Sequence, residues 1–217
     1  MQKIKINFYE NKNIVDLYIK MMKINYLGYA IIILVLIISI QIYRDSDTFN
    51  LKCIISDVDG KTYCVRERSK LTLAADRLAV VNQKMDKLVQ HCKKSFPERE
   101  NVKRLVAGYN PKQIYETLPT SEYTAYSQNK GEKLAFCLNT EKDGGHLIDP
   151  NTLTFVALHE LSHIATKSVG HNEEFWNNFS FILGEASKIN IYKQIDYKKN
   201  PARYCGMDIT DNPYYDS

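Results

Sequence analysis

The chain has 217 residues, 44% of them hydrophobic, and carries 29 Lys and Arg against 25 Asp and Glu for a formal net charge of +4, a length that suits one domain of ordinary size plus a further segment. The charge is uneven: residues 1–43 hold five Lys against Glu10 and Asp16, giving +3, while the rest holds 24 basic and 23 acidic groups, giving +1. A nearly neutral remainder excludes the broad cationic footprint of a nucleic-acid binder, so no nucleic-acid partner is expected, and the basic excess lies where anionic lipid headgroups would meet it.

Residues 1–23 are polar, rich in Lys and Asn, and read as a cytosolic tail. Between Lys23 and Arg44 lies "INYLGYAIIILVLIISIQIY", residues 24–43, without a charge. At ~1.5 Å rise per residue this run spans ~30 Å, the thickness of a bilayer's hydrocarbon core. A core helix of a small domain would show a polar stripe, whereas Asn25, Ser39 and Gln41 sit near the two ends. The run starts late and "SIQIYRD" lacks the small-x-small pattern of a cleavage site, so a single uncleaved membrane span in contact with lipid is expected. Lys12, Lys20 and Lys23 before it, against Arg44 and Lys52 after it, tilt the balance slightly towards a cytosolic N-terminus. Residues 44–50 form a short polar linker, and residues 51–217 follow as one α+β domain.

That domain opens with "LKCIIS" and "KTYCVR" around "DVDG", a β-hairpin pattern. Asp57 and Asp59 resemble the start of a calcium loop, but no further carboxylates follow Gly60 at ligand spacing, so a turn is expected. Leu71, Ala74, Leu78, Val81, Met85, Leu88 and Cys92 then recur at spacings of three and four, the apolar stripe of a long helix ending near Pro97. "NVKRLVAGY" reads as a short helix, and Asn110-Pro111 as the cap and first residue of another. "YTAYSQ" and "KLAFCLN" flank "NKGE" as a second hairpin, "EKDGG" is a loop, and "HLI" a short extended piece. Asp149 and Pro150 predict the start of a helix that a break at Gly170 ends. A last helix follows over "EEFWNNFSFILGEASKI", with Phe175, Phe179, Ile182 and Ala186 on one face, and the tail beyond Tyr192 shows little period.

The five cysteines, Cys53, Cys64, Cys92, Cys137 and Cys205, include no CxxC pair, which argues against a structural zinc ribbon. Cys53 and Cys64 face each other if the hairpin turn centres on Val58-Asp59 and do not if it centres on Asp59-Gly60; free, packed thiols are the competing reading.

Three of the five histidines fall within "HELSHIATKSVGH". On a helix, His159 and His163 at i and i+4 project from one face and can offer two imidazole nitrogens to one cation. Glu160, ~100° round from His159, stands beside that cation, where its carboxylate can hold a water acidified by zinc and take its proton as general base. A catalytic zinc needs a third protein ligand and an open position. His171, just past Gly170, is the expected third ligand. Glu174 and Glu185 compete for the role, His146 could approach from the loop before the helix, and His91 is expected at the surface. A solvated helix face with incidental histidines would not account for three of them in so short a stretch.

"HELSH", the downstream "GH" and "EFW", carried by His159, Glu160, His163, His171, Phe175 and Trp176, resemble the compact zinc peptidase domains of the WLM and SprT-like group. The wider pattern "QNKGEKLAFCL…TLTFVALHELSHIA…GHNEEFW…YCGM" is similar to membrane-anchored metallopeptidase-like proteins of large DNA viruses. The resemblance implies a minimal zincin fold, with a small sheet packed on the HExxH helix, zinc as cofactor, a protein or peptide substrate, and a viral or host membrane. Two departures stand out. The gap between His163 and His171 exceeds that of much of the WLM group, and an anchor is foreign to soluble DNA-repair peptidases, so action on DNA–protein crosslinks is not implied. The expected function is a membrane-anchored zinc endopeptidase. The alternative is a non-catalytic anchored module whose zinc is structural, closed by Glu174, Glu185 or His146; such a module has no use for a carboxylate at Glu160.

Overall fold

The computed structural model describes residues 3–44, 51–142 and 144–215, and the chain divides into two compact units, Met1–Ser46 and Asp47–Ser217. The first holds one helix, α1 (Lys3–Arg44). Its stretch Tyr26–Tyr43 has a mean hydropathy of 2.2 and is long and apolar enough to cross a membrane. The expected tail is thus helical from Lys3, and Arg44 closes the helix instead of opening a linker; residues 45–50 of that linker lie outside the described residues.

The second unit is α+β. Strands β1 (Leu51–Ile55) and β2 (Thr62–Arg66) form the first hairpin. Cys53 pairs with Cys64 in register and the two form a disulfide, the outcome of a turn centred on Val58-Asp59. Asp59 accepts hydrogen bonds from the Lys61 N–H and the Tyr63 hydroxyl, so it serves the turn. Helix α2 (Leu71–Ser95) buries Ala74, Leu78, Val81, Met85, Leu88 and Cys92, the stripe its period predicts, and α3 (Glu100–Gly108) follows.

Asn110-Pro111 does not start a helix. The Asn110 side chain accepts from the Lys112 N–H in a turn, and the chain runs into β3 (Ile114–Glu116). Pairing wins over the local capping signal there, because β3 lies parallel to β2 on one side and to β5 on the other. Strands β4 (Ala125–Gln128) and β5 (Lys133–Phe136) form the second hairpin. Both hairpins join through β3 into one five-stranded sheet of order β1-β2-β3-β5-β4, which leaves β4 at an edge. Strand β6 (Asn139–Glu141) pairs with β7 (Gly144–Leu147), so the expected extended piece begins earlier, at Gly144, and stops before Ile148, and the expected loop "EKDGG" gives Glu141 to β6 and its two glycines to β7.

Helices α4 (Pro150–Ala165) and α5 (Glu173–Lys188) complete the core. Helix α4 packs against α2, α3, α5, β4 and β5, so it runs through the centre of the domain. The aperiodic tail is ordered by contacts: β8 (Ala202–Tyr204) and β9 (Met207–Ile209) form a hairpin. Cys205 joins Cys137 in a second disulfide, its N–H donates to the Asn139 carbonyl at 3.0 Å, and the Tyr204 hydroxyl donates to the Thr124 carbonyl at 3.1 Å.

Candidate metal centre

Helix α4 begins where its cap demands. The Asp149 carboxylate accepts from the N–H groups of Asn151 at 3.0 Å and Thr152 at 2.8 Å, and Pro150 occupies the first turn. From Thr152 to Ala165 every residue is buried except His159 and His163. From Thr152 on, the helix thus reaches solvent mainly through two imidazoles one turn apart, and their Nε2 atoms lie 3.2 Å from each other.

The helix ends at Ala165 with Thr166 as its cap, earlier than a stop at Gly170 would place it. Gly170 instead bends the loop that follows. Its φ of +89° lies in the left-handed region that a side chain would disfavour. The turn brings His171 back, with its Nε2 3.0 Å from that of His159. One ligand atom from each of the three histidines lies within 4.8 Å of the others. Nitrogens bound to zinc at ~2.0–2.1 Å and near-tetrahedral angles stand about 3.3 Å apart. The donor set and its spacing therefore fit such an ion.

The surroundings hold the trio in place. The Phe175 ring lies 4.9, 4.4 and 4.7 Å from the rings of His159, His163 and His171, and Trp176 lies 5.7 Å from His171. Lys130, in the β4–β5 turn, donates from Nζ to the carbonyls of His163 at 3.1 Å, Thr166 at 2.8 Å and Ser168 at 2.8 Å. Glu174 accepts from the Lys167 N–H at 3.1 Å, the Ser168 hydroxyl at 3.1 Å and Arg104 at 2.8 Å. The loop carrying His171 is thus fastened at both ends.

Burial, then the neighbouring His163 and His171, push His159 down to about 3. Burial, His171 and Lys130 push His163 down to about 4. Both imidazoles are neutral at neutral pH, the form that donates a lone pair to a metal. Glu160 is buried beside them, and that burial pushes its carboxyl up to about 8; a cation in the trio would oppose the shift.

The competing ligands are occupied elsewhere. Glu174 holds the loop. Glu185 lies 2.8 Å from His91 Nε2 and accepts from Lys188 Nζ at 2.6 Å. His91, expected at the surface, is half-buried against this carboxylate. His146 lines a separate cavity with Arg66 and Arg68. The three histidines and Glu160 line a cleft of about 860 Å³ whose other wall is β4, along its whole length, and the β4–β5 turn. Lys130 was not visible in the sequence as part of the site: nothing in "NKGE" signals that its side chain caps a helix 33 residues on.

No family model matches the chain. It is similar to uncharacterized protein R325 of Acanthamoeba polyphaga mimivirus, 31% identical over 161 residues, which cover 72% of this chain and 81% of that protein. A shorter match, 31% identical over 71 residues, links it to uncharacterized protein 136R of Invertebrate iridescent virus 6, covering 32% of this chain and 39% of that one. Among solved structures, Wss1 from Saccharomyces cerevisiae aligns with 55% of this chain and 77% of its own, at a TM-score of 0.36 and 16% identity. Both relatives in sequence are viral proteins, in keeping with the viral resemblance. By the extent of the first match, the chain belongs to the family of uncharacterized protein R325 of Acanthamoeba polyphaga mimivirus.

Proposed function

We propose that the chain is a membrane-anchored zinc-dependent endopeptidase, with His159, His163 and His171 as metal ligands and Glu160 as general base. The observation that carries this reading is the convergence of three imidazoles on one point beside a buried carboxylate, in a cleft walled by a sheet edge. An edge strand offers unpaired backbone N–H and C=O groups, so an extended substrate can add itself to β4 and lie across the cleft. Zinc, when bound, acidifies water and polarises a peptide carbonyl. Glu160 takes the water's proton on a carboxylate oxygen as the new C–O bond forms. It then gives that proton to the amine nitrogen as the C–N bond breaks.

The structural-zinc alternative requires a fourth protein ligand. Glu174 and Glu185 are engaged by other partners and His146 lines another cavity, which supports an open position. Residues 24–43 serve as the single anchor in the bilayer. Disulfides persist in oxidising compartments, so the bonds Cys53–Cys64 and Cys137–Cys205 support a domain on the oxidising side and an N-terminus in the cytosol. Asn178, in the sequon "NFS", is buried and hydrogen-bonded to Asn101 and Thr166, so the folded domain offers no acceptor there.

The test uses full-length protein in detergent, with metal content measured alongside cleavage of an unfolded protein. Glu160→Gln should keep the metal and lose activity by ~10²–10⁴-fold, the usual worth of a positioned general base. Equal activity in the variant, or a metal-loaded wild type that cuts no unfolded chain, would sink the reading.

A further inference from the structure

The cleft is poor in charges with which to recognise a charged substrate. Apart from the histidines, its charged lining residues among those described are Glu160 and Lys130. Glu160 is committed to proton transfer in the proposed reaction. Lys130 spends its ammonium group on three backbone carbonyls behind the wall. Neither remains to pair with an acidic or basic side chain entering beside the metal.

Apolar side chains stand there instead. Tyr123 is 64% exposed and Val169 90% exposed, and both line the cleft. They are not on loose segments. The Tyr123 backbone is held by Ser121, whose hydroxyl donates to the Tyr123 carbonyl at 3.0 Å and accepts from its N–H at 3.2 Å. The Tyr123 ring also meets Tyr126 edge-on at 6.3 Å. Val169 sits between Ser168, fixed by Lys130 and Glu174, and Gly170, whose turn aims His171. Apolar surface held rigidly in water beside a reactive centre gains its favourable burial only when a ligand covers it.

Resting on the peptidase reading, we infer that the cleft selects extended peptide segments with a bulky apolar side chain, Leu- or Phe-like, beside the scissile bond, and that Tyr123 and Val169 grip it. The backbone of such a segment would pair with β4 regardless of sequence. Selection therefore falls to the side chains at the rim, which favour apolar partners and leave an entering charge desolvated and unpaired.

Full-length, zinc-loaded protein in detergent is offered Gly-Ser peptides with a central Leu-Leu, Phe-Phe, Asp-Asp or Lys-Lys pair, with the cut bond mapped by mass spectrometry. The Leu and Phe peptides should show kcat/KM about 10-fold or more above the charged ones, the scale on which apolar pockets discriminate, with the difference in KM. Tyr123→Ser and Val169→Ser replace exposed side chains, so the fold should tolerate both; each should narrow that gap by about threefold or more. Binding of the same peptides to Glu160→Gln, read by fluorescence anisotropy, separates this inference from the reading beneath it. Preferential binding of the apolar peptides without turnover by the wild type would keep the apolar selectivity of the cleft and sink the peptidase, and with it the placement beside a scissile bond. Turnover with equal kcat/KM for all four would do the reverse. Failure of every peptide to bind would overturn the inference too.

Discussion

Two polar clusters in the domain, one buried and one open to the cleft, behave in opposite ways. In the first, Arg66, Arg68 and Glu116 satisfy one another. The Glu116 carboxylate, wholly inaccessible, accepts from the Arg66 N–H at 2.7 Å and from the Arg68 guanidinium, which also reaches Asn139 at 2.7 Å. In the second, the nitrogens of His159, His163 and His171 face each other at 3.0 and 3.2 Å, with burial keeping His159 and His163 unprotonated. Lone pairs turned towards one point repel unless a proton or a cation lies between them. A cluster in which donors meet acceptors holds strands together; one in which imidazole nitrogens meet can share a proton between rings or, under the proposed function, hold a cation.

The largest effects should come from breaking the second cluster. His171→Ala should weaken zinc binding by more than ~100-fold, beyond the ~10–100-fold typical of losing a group that only supports a ligand. Glu174→Ala should fall inside that narrower range because it frees the loop carrying His171, and Glu185→Ala should leave zinc affinity unchanged. Competition with a chelator measures all three. Normal affinity in His171→Ala with a large loss in Glu185→Ala would move the third ligand onto α5. Next in size is the first cluster. Arg68→Met leaves the buried Glu116 carboxylate with the Arg66 N–H at 2.7 Å and the Arg66 guanidinium at 3.6 Å, so its cost should stay below the about 3–5 kcal/mol of stripping a buried charge of its partner, and a denaturant titration reads it. Its zinc affinity should match the wild type, and a parallel loss would mean that the two clusters are coupled.

Lys130 belongs to neither cluster but joins the sheet edge to the end of the helix that carries His159 and His163. Lys130→Met should lower zinc affinity by ~10–100-fold through the loop it releases, while Lys130→Arg should recover part of the loss by restoring a donor to the same carbonyls. Equal loss in both variants would leave Lys130 a packing role only.

How much of this was legible in the sequence follows from how local each signal is. The stripe of α2 and the Asp149-Pro150 start of α4 arise within a few turns of one helix, and the pattern displays them. The convergence of His159 with His163 follows from helical geometry, and that of His171 from one glycine; that a metal sits among them is the proposal. Strands β6, β8 and β9 have three residues each, too few to show a period of two, and their pairing is decided by partners elsewhere in the chain. The same holds for Cys137–Cys205, separated by 68 residues, for the His91–Glu185 contact, and for Lys130. At Asn110-Pro111 the local signal was present and was overruled by a strand pairing on both sides.

The smallest effect concerns Glu174, which ties the histidine loop to the scaffold and titrates in a testable window. The Lys167 N–H, then, against the opposing effect of burial, the Ser168 hydroxyl and N–H and Arg104, hold its carboxyl below the ordinary carboxylate range. Because the folded state lowers this pKa, the stabilisation is present above the unfolded value near 4.5 and is lost as pH falls through the lower folded value. Glu174→Gln cannot ionise, so it lacks that contribution at every pH. Melting temperatures of wild type and variant, measured after chelation, should differ at pH 6 by no more than about 2–4 °C, the shift expected for ~1 kcal/mol in a domain of this size. The gap should close as pH drops below 4.5. A gap that persists at pH 3 would mean that Glu174 acts through shape and neutral hydrogen bonds, and the loop's attachment would then owe nothing to its charge.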